Sequence, residues 1–287
     1  MIWACPPPYQ SGVGLSGTLS IPLSLHFVQT TPPIPHAKKT SNHWICQIFV
    51  FLYKRRELEV SRYVNMKQPF WKHIASYLYE FRIEAVEGQH NPYLEVVYSR
   101  GRYRLDTENA IYSYEDLYTN FYYSFRQIKL HKQDIKNVLI LGLGLGSIPL
   151  MLERDYKRKY HYTAIEIDEE VLYLANKYTL HELQSPIEVL CADARLFVET
   201  CTEKYDLVCM DIFLDDVIPN EFEQTDFLEN LKTLIAPNGL LLYNRLFNTH
   251  EDKAVTAHFY EAIFSKTFPD ATFFNVDGNW VLLNRKI

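Results

Sequence analysis

The chain has 287 residues, is 47% apolar and carries a formal charge of −6, which is the balance of a globular protein able to bury a core and argues against a nonspecific nucleic-acid binder. The longest apolar run ahead of the glycine-rich stretch, WICQIFVFLY over Trp44 to Tyr53, is about half the ~20 residues a membrane span needs, so no transmembrane helix is expected. The five cysteines, Cys5, Cys46, Cys191, Cys201 and Cys209, form no CxxC pair and read as structural thiols of a reducing compartment, which with the missing membrane span points to a cytoplasmic protein.

Residues 1–65 do not look like a folded domain. No Asp, Glu, Lys or Arg occurs from Met1 to Ala37, and half of the 14 prolines precede Met66. Six basic residues against Glu57 and Glu59 give this stretch a positive charge, so the remainder is more acidic than the whole. There is no basic start followed by one compact apolar core, so a secretory signal is not indicated. The expectation is a disordered stretch, or upstream sequence ahead of a true start at Met66. Residues 66–130 form a small aromatic-rich β/α region. Alternation over Leu94 to Tyr98, a turn at Gly101 and Tyr103 to Leu105 predict a hairpin or short antiparallel sheet, and AIYSYEDLYTNFYYSF has helical spacing. About half of the 21 tyrosines fall here. They serve either packing or the lining of a substrate pocket, Tyr114 being a candidate for the second role.

From residue 131 onward strand and helix signals alternate. Strands are predicted near Asn137 to Leu141, His161 to Ile165, Ile187 to Cys191, Leu207 to Met210 and Leu240 to Asn244. Helices are predicted near Ser147 to Tyr156, Glu169 to Tyr178, Ala194 to Thr200 and Phe222 to Ile235, with Pro237-Asn238-Gly239 as a turn before the fifth strand. The fold class is α/β, a doubly wound sheet. After a helix near Asp252 to Thr267, strands Ala271 to Asn275 and Asn279 to Leu283 are separated by three residues, which forces an antiparallel pair.

The first strand runs into Gly142, Gly144 and Gly146, where the backbone can turn tightly against a ligand. About 20 residues further on, Glu166 closes the next strand, where a carboxylate can accept hydrogen bonds from ribose hydroxyls. A nucleoside is the expected ligand. GxGxxG-like spacing also admits an NAD-dependent oxidoreductase; the terminal hairpin speaks against it.

With that hairpin the chain resembles the class I S-adenosylmethionine-dependent methyltransferase fold, a seven-stranded sheet ending in a reversed strand. Over Leu94 to Ile287 it resembles the spermidine synthase-like branch. The matching motifs are VLILGLGLG, AIEIDEEV, EVLCADARLF, YDLVCMDIFLDDVIP and FLENLKTLIAPNGLLLYN, in that order. The resemblance implies that S-adenosylmethionine, or its decarboxylated form, is the cofactor, with Glu166 on the ribose and Asp193 on the adenine amino group beside Ala194. It implies that Asp211 faces the sulfonium and orients or deprotonates an attacking amine, and that a homodimer forms. Local readings stand beside these: Asp193 can cap the helix that starts at Ala194, Glu169 and Glu170 favour a helix start, and Asp215, a substrate-binding candidate, and Asp216 can be solvated loop charges.

Three departures bear on the acceptor. Aminopropyltransferases of the branch carry an aspartate where this chain has Leu145, a Tyr-His-Glu pattern where it has Asp116-Leu117-Tyr118-Thr119-Asn120, and an Asp-Ser-Ser-Asp-like loop where it has Asp211-Ile212-Phe213-Leu214-Asp215. Methyl transfer to a small or amine-bearing acceptor is therefore the leading expectation. Polyamine aminopropylation and nucleoside binding without catalysis are the alternatives. The histidines show no HExxH, His250 and His258 are eight apart, and no metal site is expected. Lys157-Arg158-Lys159 suits a solvated helix end.

Overall fold

The computed structural model describes residues 68–287; the expectations for residues 1–65 and for a start at Met66 lie outside the described residues. A short helix α1 (Phe70–Ala75) precedes strands β1 (Phe81–Val86), β2 (Leu94–Ser99), β3 (Arg102–Asp106) and β4 (Ile111–Ser113), which form an antiparallel four-stranded sheet in chain order. The predicted hairpin is β2 and β3, with Gly101 at φ +72° in its turn. Strands β1 and β4 extend it to the short antiparallel sheet that the pattern also admits. The AIYSYEDLYTNFYYSF segment is not one helix: β4, paired to β3, comes first, then a 3₁₀ turn at Glu115–Leu117 and the helix α2 (Thr119–Gln127).

The second sheet contains β5 (Asn137–Leu141), β6 (His161–Glu166), β7 (Ile187–Cys191), β8 (Tyr205–Met210), β9 (Ile235–Leu246), β10 (Thr272–Val276) and β11 (Asn279–Leu283). Their spatial order is β10-β11-β9-β8-β5-β6-β7, with β5 to β9 mutually parallel and β11 antiparallel to both neighbours. This is the doubly wound, seven-stranded arrangement with a reversed last strand that the motifs imply. The order reverses direction at β5, so the crevice between the carboxyl ends of β5 and β8 is the natural ligand seat. Val138, Leu139, Ile140 and Leu141 are fully buried, because helices cover both faces of a central parallel strand.

The helices are α3 (Ser147–Tyr156), α4 (Glu169–Tyr178), α5 (Ala194–Thr200), α6 (Thr225–Leu234) and α7 (His250–Phe259), the last continuing through a π-helical turn at Tyr260–Phe264. Local chemistry starts several of them. Asp168 and Asp193 accept the second amide of α4 and α5, and Thr249 with Asp252 forms a capping box at α7. The expected turn at Pro237-Asn238-Gly239 lies instead within β9. That strand already pairs with β8 at Ile235, then slips register before Leu240, with Asn238 at φ +63°. A bulge rather than a turn absorbs the extra residues. Leu94, Val96 and Leu105 of the first sheet share one buried apolar cluster with Val138 and Ile140 of the second, so the small sheet is packed onto the larger one.

Candidate active site

A cavity of about 740 Å³ opens at the carboxyl ends of the central strands. It is lined by Gly142, Gly144, Glu166, Asp193, Ala194, Asp211 and Asp215, so seven of the nine residues singled out in the sequence meet there. Gly146 and Tyr114 do not line it. Gly146 is the residue ahead of α3, at φ +83°, and shapes the loop from behind. Tyr114 points its hydroxyl at the Ser99 carbonyl, with the Arg104 guanidinium over its ring, so its role is in packing the small sheet.

Gly142 stands where the chain leaves β5, at φ +87°, and a Cβ there would come within 2.2 Å of the Asp211 carbonyl oxygen. Two strand ends can approach this closely only where one has no side chain. Glu166, at the end of β6, accepts four backbone N–H groups: Leu143 (3.1 Å) and Gly144 (3.4 Å) on Oε2, Ile167 (2.9 Å) and Asp168 (3.2 Å) on Oε1. The carboxylate thus holds the glycine loop in shape while lining the cavity. Burial pushes its carboxyl above the ordinary range, and the four amides oppose that shift. Asp193 caps α5 through Arg195 N (2.7 Å), as its local reading has it, and also lines the cavity.

Asp211 follows β8 and anchors its own backbone by donating to the Leu141 carbonyl (2.8 Å). Its Oδ1 accepts from Asn244 Nδ2 (2.9 Å) and from the Tyr118 hydroxyl (3.3 Å). Desolvation is the main cause that pushes its carboxyl up to about 7, with the two hydrogen bonds opposing and the nearby Glu166 charge adding to the rise. The Tyr118 hydroxyl is itself held well above its usual range by burial and by Asp211, so it stays a donor. Such a carboxyl can take or release a proton near neutrality.

The acceptor side of the cavity is closed by a clasp between the small sheet and the loop after β8. Both Asp215 oxygens are engaged: Oδ1 by the Thr107 hydroxyl (2.6 Å) and Asn109 N (2.9 Å), Oδ2 by Asn109 Nδ2 (2.5 Å). Tyr112 places its hydroxyl between Asn91 Oδ1 and the Phe213 carbonyl, each at 2.8 Å, and accepts from Asp215 N. Farther along, Tyr243 OH donates to the Phe222 carbonyl (3.2 Å) and Arg245 pairs with Glu223. Asp215 is on the cavity wall, but its carboxylate is committed to holding the loop.

The sequence reading missed Tyr112, Tyr118, Asn91 and Asn244. Tyr118 lies in a stretch read for its helical spacing and for the pattern it lacks, and Asn244 lies near the carboxyl end of β9, at the ligand edge of the sheet, a positional signal. Asp168 was missed too. It is fully buried, caps α4, and accepts from His90 N (3.3 Å) and Asn91 N (3.2 Å), which fixes the loop before β2 against the cavity. The three positions that depart from the aminopropyltransferase pattern are accounted for as follows. Leu145 is fully buried in the apolar core and does not line the cavity. Of the Asp116–Asn120 stretch, Tyr118 and Asn120 line the cavity, while Asp116 pairs with Arg102 and Arg154 away from it. The residues after Asp211 form the clasp.

Among the described residues eight carboxylates line the cavity (Glu166, Asp193, Asp211, Asp215, Asp216, Glu221, Asp252 and Asp277), against no Lys or Arg. Such a wall favours a cation over an anion. Among the described residues no group of His, Cys, Asp and Glu is arranged to hold a metal ion, and no helix is long and apolar enough to cross a membrane.

The chain is similar to several known proteins. A polyamine aminopropyltransferase from Vibrio vulnificus is 29% identical over 152 residues, 52% of this chain and 50% of that protein. An eEF1A lysine and N-terminal methyltransferase homolog from Drosophila melanogaster is 31% identical over 123 residues, 39% of this chain and 18% of that protein. The chain thus spans half or less of the length of these curated relatives. Among solved structures, a probable spermidine synthase from Corynebacterium glutamicum superposes with a TM-score of 0.56 at 18% identity, covering 71% of this chain and 78% of that one. A spermidine synthase in complex with the transition state analogue AdoDATO gives the same TM-score and identity over 70% of this chain and 72% of that one. These two likenesses are of fold. The spermine/spermidine synthase domain model matches residues 127–276, more than half of the chain, and the protein belongs to that family.

Proposed function

We propose that this protein is an S-adenosylmethionine-dependent transferase that alkylates an amine of a small cationic acceptor, with methyl transfer as the chemistry. The observation that carries the reading is one cavity that joins the nucleoside elements Gly142, Gly144, Glu166 and Asp193 to Asp211, under a wall of carboxylates with no basic side chain among the described residues. The residues fit a sulfonium nucleoside. Glu166 would take the ribose, Asp193 the adenine amino group, and the glycine loop gives the backbone room to approach. When bound, the donor supplies an electrophilic carbon on a positive sulfur. The protein's part is then to position, to exclude water and to move one proton.

In that reading the amine lone pair forms the new N–C bond as the C–S bond breaks, its electrons returning to sulfur. Asp211 takes one proton from the nitrogen. A carboxyl titrating near 7 is suited to this at neutral pH. Tyr118 and Asn244 steady it, and the clasp through Asp215 and Tyr112 keeps the acceptor side closed.

Methyl transfer is favoured over aminopropyl transfer because Leu145, at the position where aminopropyltransferases of the branch carry an aspartate, is turned to the core. Two observations favour the second reading: Tyr118 and Asn120 of the Asp116–Asn120 stretch line the cavity, and among the described residues no Lys or Arg on its wall is available to the donor's carboxylate. Incubation with each donor separately and an amine panel that includes putrescine, read by mass spectrometry, decides between them. N-methylated products with S-adenosylmethionine are expected. N-aminopropyl products from the decarboxylated donor alone would replace the methyl reading, and saturable nucleoside binding without any product would make this a binding protein.

A further inference from the structure

Asn244 sits where an apolar residue would be expected. It follows Leu240 to Tyr243 in β9, is 2% exposed, and lies one step past the Met210–Tyr243 register pair, beside Asp211 at the end of β8. Its Nδ2 donates to Asp211 Oδ1 at 2.9 Å, while its own Oδ1 is buried without a hydrogen-bond partner. A half-satisfied buried amide is a liability that leucine would not carry, and such groups are retained where they do something else. The Tyr118 hydroxyl reaches the same carboxylate oxygen, so both described donors converge on Oδ1, and Asp211 Oδ2 receives no hydrogen bond from either.

We infer that Asn244 is a positioning residue for Asp211: its amide holds Oδ1, keeps the carboxylate ionised, and leaves Oδ2 as the oxygen that takes the acceptor's proton. This rests on the proposed role of Asp211 and adds to it. Among the described residues the titratable groups that face Asp211 are Glu166 from β6, which repels its charge; Cys209 from β8, a thiol that burial keeps neutral; and Tyr118, held protonated by burial. None of these is a cation. The neutral donors therefore favour the ionised form, and Asn244 makes the shorter of their two bonds.

The test is the titration of the Asp211 side-chain carboxyl carbon by NMR in protein labelled at aspartate, with the resonance assigned through Asp211→Asn. It needs neither donor nor acceptor. In Asn244→Leu the midpoint is expected to rise by about one pH unit, because a donor to the ionised form has been removed. S-adenosylhomocysteine binding should stay within about threefold, and the acid limb of kcat should move up by the same amount with KM little changed. Asn244→Gln, which restores an amide donor, should recover part of the shift. If Asn244→Leu does not fold, Asn244→Ser carries the same test. A midpoint unchanged in a folded Asn244 variant overturns the inference while leaving the transferase reading in place. Absence of turnover with every amine would end that reading instead, without touching the titration.

Discussion

Asp211 and Gly142 meet backbone to backbone at the centre of the site: the Asp211 carbonyl oxygen occupies the space that a Cβ on Gly142 would need, 2.2 Å away. The end of the nucleoside loop and the start of the proposed catalytic loop are therefore one packed unit, and a change to either moves both.

Gly142→Ala is expected to be damaging twice over. The φ of +87° is strained for alanine, and the added methyl collides with main chain that cannot swing aside. A loss of at least about 2 kcal/mol in denaturant unfolding is expected, with weaker S-adenosylhomocysteine binding by calorimetry. Wild-type affinity and stability in this variant would contradict the contact.

Asp211→Asn should reduce turnover by about 10²- to 10⁴-fold with nucleoside affinity nearly intact. Stability should respond in the opposite sense. The folded carboxyl titrates near 7, above the usual ~3.9, so the fold is favoured most when the group is neutral and loses that advantage as pH rises through 7. The variant should match the wild type at about pH 3 and exceed it at pH 8 by about 1–2 kcal/mol, less than the full shift because cavity water screens the charge. Thermal melts at the two pH values give the answer.

Glu166→Gln removes acceptor capacity from a group that holds four backbone amides. Nucleoside affinity should fall at least about tenfold and stability by about 1–3 kcal/mol. In the wild type, binding should weaken with acid at a midpoint above the ordinary carboxylate range, since burial raises this carboxyl. Titration calorimetry from neutral to acid pH would reveal no such midpoint if Glu166 stays out of the ribose contact.

Leu145→Asp places a carboxylate where the side chain is fully buried among apolar neighbours. A cost of at least about 3 kcal/mol is expected, with no gain of aminopropyl transfer. A stable variant that transfers an aminopropyl group to putrescine would show that the loop can turn this position into the cavity.

Much of this was legible in the chain. The apolar run Val138 to Leu141, the glycines behind it and the acid closing β6 each follow from a local requirement, so the nucleoside half could be read in order. The short connection before β11, two residues in the structure, dictated its antiparallel pairing with β10. The small sheet was less legible at its edges because β1 has no fully buried residue to mark it and β4 is only three residues long. Asp215 and Tyr114 illustrate the same limit at the site. An acid in a loop and a tyrosine in an aromatic cluster have no local signature that separates a ligand contact from a clasp or a packed ring; partners on other elements decide it, Ser99 and Arg104 for Tyr114 and the distant Thr107 for Asp215.

The clasp also determines when the site comes into being. Tyr112 meets the Phe213 carbonyl across 101 residues, and Thr107 meets Asp215 across 108. Contacts of such sequence separation are costly to close and form after local ones. A chain still folding would own its glycine loop before it owned an acceptor chamber, and gentle heating should undo them in the reverse order. In native-state hydrogen exchange, the amides of Asn109 and Asp215 should open together, ahead of those in β5 and β6.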